Sequence, residues 1–97
     1  MKMNEKFKGI FPALLTPFDK DDRVNTKVHC ELVDYNLSKG VTGFYVGGST
    51  AEAFLLTAEE RLQVMKTVSE RAKGKCTLIA HIGCISTAQS ISLAKAA

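Results

Sequence analysis

The stretch Val41-Thr42-Gly43-Phe44-Tyr45-Val46-Gly47-Gly48-Ser49-Thr50 decides how this chain is read. Six nearly unbroken apolar positions end abruptly in two glycines and two hydroxyl residues. Unbroken rather than alternating apolar character marks a strand buried on both faces, as in a parallel sheet covered by helices. Residues 9–15 and 77–82 have the same character, so three such strands are predicted. Pro12 weighs mildly against a central position for the first, because proline cannot donate to a ladder.

Helical patterns fill the intervals. Val28, Leu32 and Tyr35 recur at helical spacing, with Val33 and Leu37 widening the stripe, and Gly40 is placed to end the helix in a left-handed conformation. The second pattern opens on Thr57 and Glu60, a capping-box pair in which each side chain satisfies a backbone amide of the first turn. Leu62, Met65, Val68 and Ala72 then form its apolar face. Glu59 and Glu60 at the start and Arg71 and Lys73 at the end suit the helix dipole, and Gly74 stops it. A third helix begins at Ser86, with Gln89 completing another box and Ile91, Leu93 and Ala94 as its first apolar contacts.

Strands and helices therefore alternate, with corresponding strand positions about 35 residues apart, a length that suits one βα unit. This is an α/β chain, either an open doubly wound sheet or a (β/α)8 barrel. In both architectures ligands gather at the C-terminal ends of the strands, where Gly47 to Thr50 lie. No linker or second domain is apparent, and residues 1–97 read as one unit.

Composition narrows the function classes. Thirteen basic and ten acidic residues give a net charge of +3 and are scattered, as in the mixed Lys20-Asp21-Asp22-Arg23. No basic stripe interleaved with aromatics exists, so a nucleic-acid partner is not expected. Lys2, Lys6 and Lys8 precede an apolar run, but Pro12 and Pro17 interrupt it and acidic residues follow, unlike a signal peptide. No run approaches the roughly 20 apolar residues of a membrane span. A cytoplasmic chain with no membrane partner is the expectation. Cys30, Cys76 and Cys84 include no CxxC pair, and His81 with Cys84 makes at most half a metal site. The cysteines are read as reduced and structural, and no metal or cofactor is expected.

At the strand end, Gly47 and Gly48 allow close backbone approach, and Ser49 and Thr50 offer two hydroxyls beside two backbone amides. Such a group can bind a carboxylate without a cationic side chain. The competing reading is that both hydroxyls simply satisfy loop backbone. The stretch has neither the lysine of a Walker loop nor a GxGxxG pattern.

Three motifs in this order, "GIFPALLTPF" (9–18), "GFYVGGSTAEAFLLTAEER" (43–61) and "LIAHIGCISTAQS" (78–90), together resemble the first third of the pyruvate-dependent class I aldolases. This is the dihydrodipicolinate synthase and N-acetylneuraminate lyase family, and the resemblance covers residues 7–97. The Gly-Gly-Ser-Thr version and the third motif look like the branch that acts on N-acetylneuraminate; the synthases more usually carry Thr-Thr where Ser49 and Thr50 stand. The resemblance implies a (β/α)8 barrel, of which this chain holds about the first three βα units. It also implies reversible cleavage of N-acetylneuraminate to N-acetylmannosamine and pyruvate through a lysine Schiff base, in a homotetramer without a metal. Ser49 and Thr50 would bind the carboxylate of the pyruvate portion, with Gly48, Thr16 and His81 in supporting places. For Thr16 and His81 the structural reading is preferred, His81 as a core histidine bonded to a neighbour.

The family's reactive lysine and proton-shuttling tyrosine fall beyond residue 97, so no catalytic residue is assigned here. Lys39, Lys66, Lys73 and Lys75 are read as lying in or beside helix ends, Lys95 on the third helix, and Tyr45 as packing. The isolated chain is expected to be inactive, and unstable or prone to aggregate. Glu52 is given a structural role. Ala51 departs from the family pattern, which has glycine there; a positive φ at this position would make the alanine strained, a negative one harmless. The rival readings are dihydrodipicolinate synthase or another pyruvate aldolase of the family, and a non-catalytic anion-binding α/β module.

Overall fold

The computed structural model describes residues 5–97; Lys2, part of the basic N-terminal stretch, lies outside them. Helix α1 spans Thr26–Ser38, strand β1 Gly43–Val46, helix α2 Ala58–Ala72, strand β2 Thr77–Ala80 and helix α3 Thr87–Ala96. Short 3-10 turns occupy Glu5–Phe7, Ser49–Ala51 and Ala53–Leu55. β1 and β2 pair in parallel, with Gly43 opposite Thr77 and Val46 opposite Ala80. The alternating α/β order is as expected.

The first expected strand, over residues 9–15, is reduced to a single parallel bridge between Ala13 and Tyr45. Around it, Leu14 donates to the Tyr45 carbonyl at 3.1 Å and Tyr45 to the Pro12 carbonyl at 3.0 Å. Continuing that ladder toward the N-terminus would call next on the amide of residue 12. Proline has none, which is why regular pairing stops there. The arm still runs beside β1, on the side away from β2.

The core lies between the sheet and the helices. Leu14, Val33, Phe44, Val46, Val64, Met65, Val68 and Ala72 form one buried cluster. Burial is one-sided, contrary to the two-sided burial expected. Tyr45, Ala13 and Leu15 lie exposed on the opposite face, because no described element covers it. In a closed barrel that face is turned inward and packed.

The helix faces also differ in detail. In α1 the buried residues are His29 and Val33; Val28 is 40% exposed and Tyr35 61% exposed. Leu32 and Leu37 flank the core. The stripe is thus rotated toward positions 29, 33 and 37, one residue from the expected one. Asn25 caps this helix by accepting from the Val28 amide at 3.1 Å. In α2 the expected Met65, Val68 and Ala72 are buried and Leu62 is partly so, joined by Val64 and Arg61. Its capping box is complete: Thr57 N–H donates to Glu60 Oε1 at 2.9 Å, and Glu60 N–H to Thr57 Oγ1 at 3.1 Å. In α3 Ser86 accepts from the Gln89 amide at 3.2 Å, the one half of the box that forms. Leu93 is buried there, whereas Ile91 and Ala94 are exposed because α3 meets the rest of the chain along a narrow face. Gly40 and Gly74 end α1 and α2 with φ of +84° and +75°, as their positions required. Between α1 and α2, Arg71 grips Asp34 with both arms of its fork, Nε reaching Oδ1 at 2.9 Å and Nη2 meeting Oδ2. That guanidinium holds the Asp34 carboxyl below its usual range.

Candidate functional site

β1 ends at Val46, and the chain then turns sharply. Gly47 takes φ of +74°, a conformation that a side chain would strain. Gly48 has ordinary extended dihedrals but no room: a Cβ there would lie 2.6 Å from the Tyr45 ring. The two glycines thus serve different ends, one a dihedral and the other a close approach. They deliver the chain into the 3-10 turn Ser49–Ala51, whose first residues face solvent. The carbonyls of Gly48 and Ser49 are taken by Ala51, Glu52 and Ala53. Neither the hydroxyls nor the amides of Ser49 and Thr50 find a partner among the described residues. Four donors therefore stand together at a strand's C-terminal end, an arrangement that can receive an anion.

Ala51 is not in the left-handed region; its methyl is buried, with 2% exposure. That region is taken instead by Glu52, at φ 61° and ψ 37°, which joins the two 3-10 turns. The structural role expected of Glu52 is performed by its backbone, and its side chain is exposed.

His81 follows β2 directly. Its amide donates to the Val46 carbonyl at 2.9 Å, and its Nδ1 lies 2.8 Å from the Gly47 carbonyl. A carbonyl only accepts, so Nδ1 carries the proton and donates. The ring sits beside Tyr45, with centroids 5.8 Å apart, and edge-on to Phe54 at 6.5 Å. The expected histidine bonded to a neighbour is found, and the neighbour belongs to the Gly-Gly-Ser-Thr loop. Thr16 is buried at 9% exposure with its hydroxyl unpartnered, and no hydrogen bond joins it to that loop. Tyr45 packs against His81 and Gly48, as expected of a packing residue. Lys39 and Lys73 are helix C-caps; Lys66, by contrast, lies in the middle of α2 rather than at an end.

Sequence reasoning missed Arg61 and His29. Arg61 is 5% exposed. Its Nη1 donates to the Gly83 carbonyl at 2.8 Å and to Cys84 Sγ at 3.2 Å, and its Nη2 to the His81 carbonyl at 3.1 Å. A signal was present: positions 61, 65, 68 and 72 fall on one helical stripe, so a charged residue there had to be buried. His29 is 1% exposed, and burial pushes its imidazole pKa down. A contact with the Leu15 backbone, too poorly formed to be a full hydrogen bond, opposes this in part.

Two hollows accompany these features. One of about 410 Å³, lined by Val46, Leu62, Met65, Leu78 and Ala96 among others, lies on the helix side of the sheet and contains none of the expected site residues. The other, about 260 Å³, is bounded by Phe54, Arg61, Cys84, Ile85 and Gln89 among others. Among the described residues no group of three or more His, Cys, Asp and Glu side chains gathers as a metal site would require.

Comparison with known proteins gives these features a context. A profile of the dihydrodipicolinate synthetase family matches residues 6–97. The N-acetylneuraminate lyase of Citrobacter koseri is 50% identical over 95 residues, which cover 98% of this chain and 32% of that protein. Among solved structures, a catalytic lysine mutant of the Ruminococcus gnavus sialic acid aldolase superposes with a TM-score of 0.92 at 38% identity, over 99% of this chain and 32% of that one. A dihydrodipicolinate synthase from Bacillus anthracis superposes with a TM-score of 0.88 at 33% identity, over 93% of this chain and 31% of that one. The chain spans about a third of the length of the relatives it matches, and its elements correspond to the first βα units of their (β/α)8 barrel.

Proposed function

The chain belongs to the dihydrodipicolinate synthetase family, and from that premise we propose that it forms the N-terminal third of an N-acetylneuraminate lyase. The complete enzyme would reversibly cleave N-acetylneuraminate to N-acetylmannosamine and pyruvate. The curated relatives that match at 48–50% identity are N-acetylneuraminate lyases, and among solved structures the Mycoplasma synoviae lyase is 43% identical against 33% for the dihydrodipicolinate synthase, which favours the lyase within the family.

The observation that carries the proposal is the turn at Ser49 and Thr50, with two free hydroxyls and two free amides at the C-terminal end of β1. In this reading the turn binds the carboxylate of the pyruvate portion. Holding that carboxylate places the neighbouring keto carbon against a lysine supplied by the other two thirds of the barrel. The lysine amine condenses with the keto carbon to an imine, with loss of water. The protonated imine accepts, as an enamine, the electron pair of the bond between the next two carbons. That bond breaks as the hydroxyl on the farther carbon gives up its proton and becomes the aldehyde of N-acetylmannosamine, and protonation and hydrolysis of the enamine release pyruvate. That the Ruminococcus gnavus sialic acid aldolase has a catalytic lysine supports a lysine-based reaction. In the same reading Gly48 supports the turn by its close approach to Tyr45, and His81 by its hydrogen bond to the Gly47 carbonyl. Thr16, which is buried, keeps a supporting place in this reading on the strength of the family resemblance. A homotetramer in the cytoplasm completes the proposal, on the strength of the family resemblance; no described helix is long and apolar enough to cross a membrane. The 97 residues by themselves carry no lyase activity in this reading.

Ser49→Ala and Thr50→Ala, in a complete lyase carrying these residues as its N-terminal third, test the assignment. A hydrogen bond to a charged group contributes about 1.5–3 kcal/mol. Each substitution should therefore raise KM for pyruvate roughly ten- to hundredfold, and borohydride should trap correspondingly less pyruvate on the enzyme. Unchanged KM in both variants would refute the carboxylate assignment. A complete protein without N-acetylneuraminate turnover would refute the lyase.

A further inference from the structure

A buried guanidinium normally meets a carboxylate, and Arg61 does not. The ion pairs among the described residues are Lys8 with Glu5 and Arg71 with Asp34. Arg61, 5% exposed, makes its hydrogen bonds to two carbonyls and a thiol, and its Nε has no partner. An apolar side chain of similar volume would fill the same space without the cost of desolvating a charge. Stability alone is therefore a poor reason for an arginine here, and its contacts indicate another.

Both carbonyls, from His81 and Gly83, lie in the short segment that follows β2. The fork grips that segment from beneath through two parallel arms, which fixes orientation as well as position. The segment passes the constraint on. His81 Nδ1 carries its proton to the Gly47 carbonyl at 2.8 Å. Arg61 Nη2, 3.4 Å from the same Nδ1, has no lone pair to meet there and donates to the His81 carbonyl instead. The ring has little freedom to turn away. A Cβ on Gly83 would fall 2.5 Å from Nε2, so the imidazole lies directly on the Gly83 backbone, with Tyr45 and Phe54 on other sides. Gly47 is the residue with positive φ from which Gly48 and the Ser49 turn set out.

We propose that Arg61 is a positioning residue for the Ser49–Thr50 turn, acting through the segment 81–84 and the His81 imidazole on the Gly47 carbonyl. It does not touch the substrate. It sets the direction in which the amides and hydroxyls of Ser49 and Thr50 face. This role rests on reading that turn as the holder of the pyruvate carboxylate.

The test uses the complete lyase with Arg61→Met, Arg61→Lys, His81→Phe and the Arg61→Met/His81→Phe pair, with KM measured separately for pyruvate and for N-acetylmannosamine in the synthetic direction. Arg61→Met should raise KM for pyruvate at least tenfold and leave that for N-acetylmannosamine within about twofold. Arg61→Lys, with charge but no fork, should fall between. His81→Phe should resemble Arg61→Met, and the pair should be no worse than the more impaired single variant, because both break one chain of contacts. If Arg61→Met does not fold, Arg61→Lys and His81→Phe decide by the same criterion. Equal shifts in both KM values, multiplied effects in the pair, or an indifferent pyruvate KM with an active wild type would overturn this role alone. A wild type without turnover would overturn the lyase reading and the role together.

Discussion

Replacing Ala51 by glycine, the residue that the family pattern carries after its Ser-Thr pair, tests where the turn stores its strain. If position 51 required a positive φ, glycine would relieve it. The left-handed residue is Glu52, at φ 61°, and Ala51 buries its methyl to 2% exposure. Ala51→Gly therefore relieves nothing. It removes a buried carbon, at about 0.8 kcal/mol, and restores freedom to the unfolded chain, at about 0.4–1 kcal/mol. The expected loss is about 1–2 kcal/mol. With a urea dependence of about 1–3 kcal/mol per molar, the unfolding midpoint should fall by roughly 0.3 to 2 M. Glu52→Gly should behave differently, since relief of a left-handed side chain, about 1–2 kcal/mol, offsets its entropy cost; its midpoint should stay level or rise. Urea unfolding followed by circular dichroism reads both. Pyruvate KM in the complete lyase should change by less than about twofold in Ala51→Gly. A glycine at 51 that raised the midpoint or tightened pyruvate binding would show that the strain lies there.

Two further outcomes follow from the helix faces. Val33→Ala, at a position with no exposure, should cost about 1.5–3 kcal/mol, whereas Val28→Ala, 40% exposed, should cost about 0.5 kcal/mol or less; equal costs in urea unfolding would restore the stripe read from the sequence. His29 is held below its ordinary pKa by burial, so the unfolded chain binds its proton first. Stability should be full above the unfolded value of about 6.5 and decline as pH falls from there through the lower folded value. His29→Leu should flatten that decline, and an unchanged pH profile of thermal unfolding would show that His29 is solvated.

Much of this was legible because local chemistry and tertiary placement agree. The glycines at 40 and 74, the Thr57 box and the apolar run of β1 each have one local solution, and the fold adopts it. What escaped depended on distant partners. Whether residues 9–15 form a strand turned on a single missing amide, that of Pro12. The α1 stripe was misplaced by one residue because His29 was not counted among the core positions, although 29, 33 and 37 repeat at four. Arg61 was hidden in the same way: a charge on an apolar stripe is read as surface until the carbonyls it meets, 20 and 22 residues further on, are in view. The four letters at 47–50 gave the donors of the candidate site. They could not give its direction.

That direction comes from strand register. Val46 pairs with Ala80, so the next residues of the two strands, Gly47 and His81, emerge side by side at the same end of the sheet. A slip of one residue would set Ala80 or Ile82 beside Gly47 and turn the imidazole to the other face of the strand. The register therefore selects which side chain can reach the Gly47 carbonyl. Helix α2 contributes from the same end, because a helix connecting two parallel strands begins near where the first one stops. Arg61 stands in its first turns and so meets the chain leaving β2. Gly47, Arg61 and His81 are separated in sequence by a helix's length, yet the parallel βαβ arrangement brings them within two hydrogen bonds of one another. The geometry of the candidate site is accordingly a property of two βα units locked in register, and disturbing β2 should move the Ser49–Thr50 turn as surely as changing Ser49 itself.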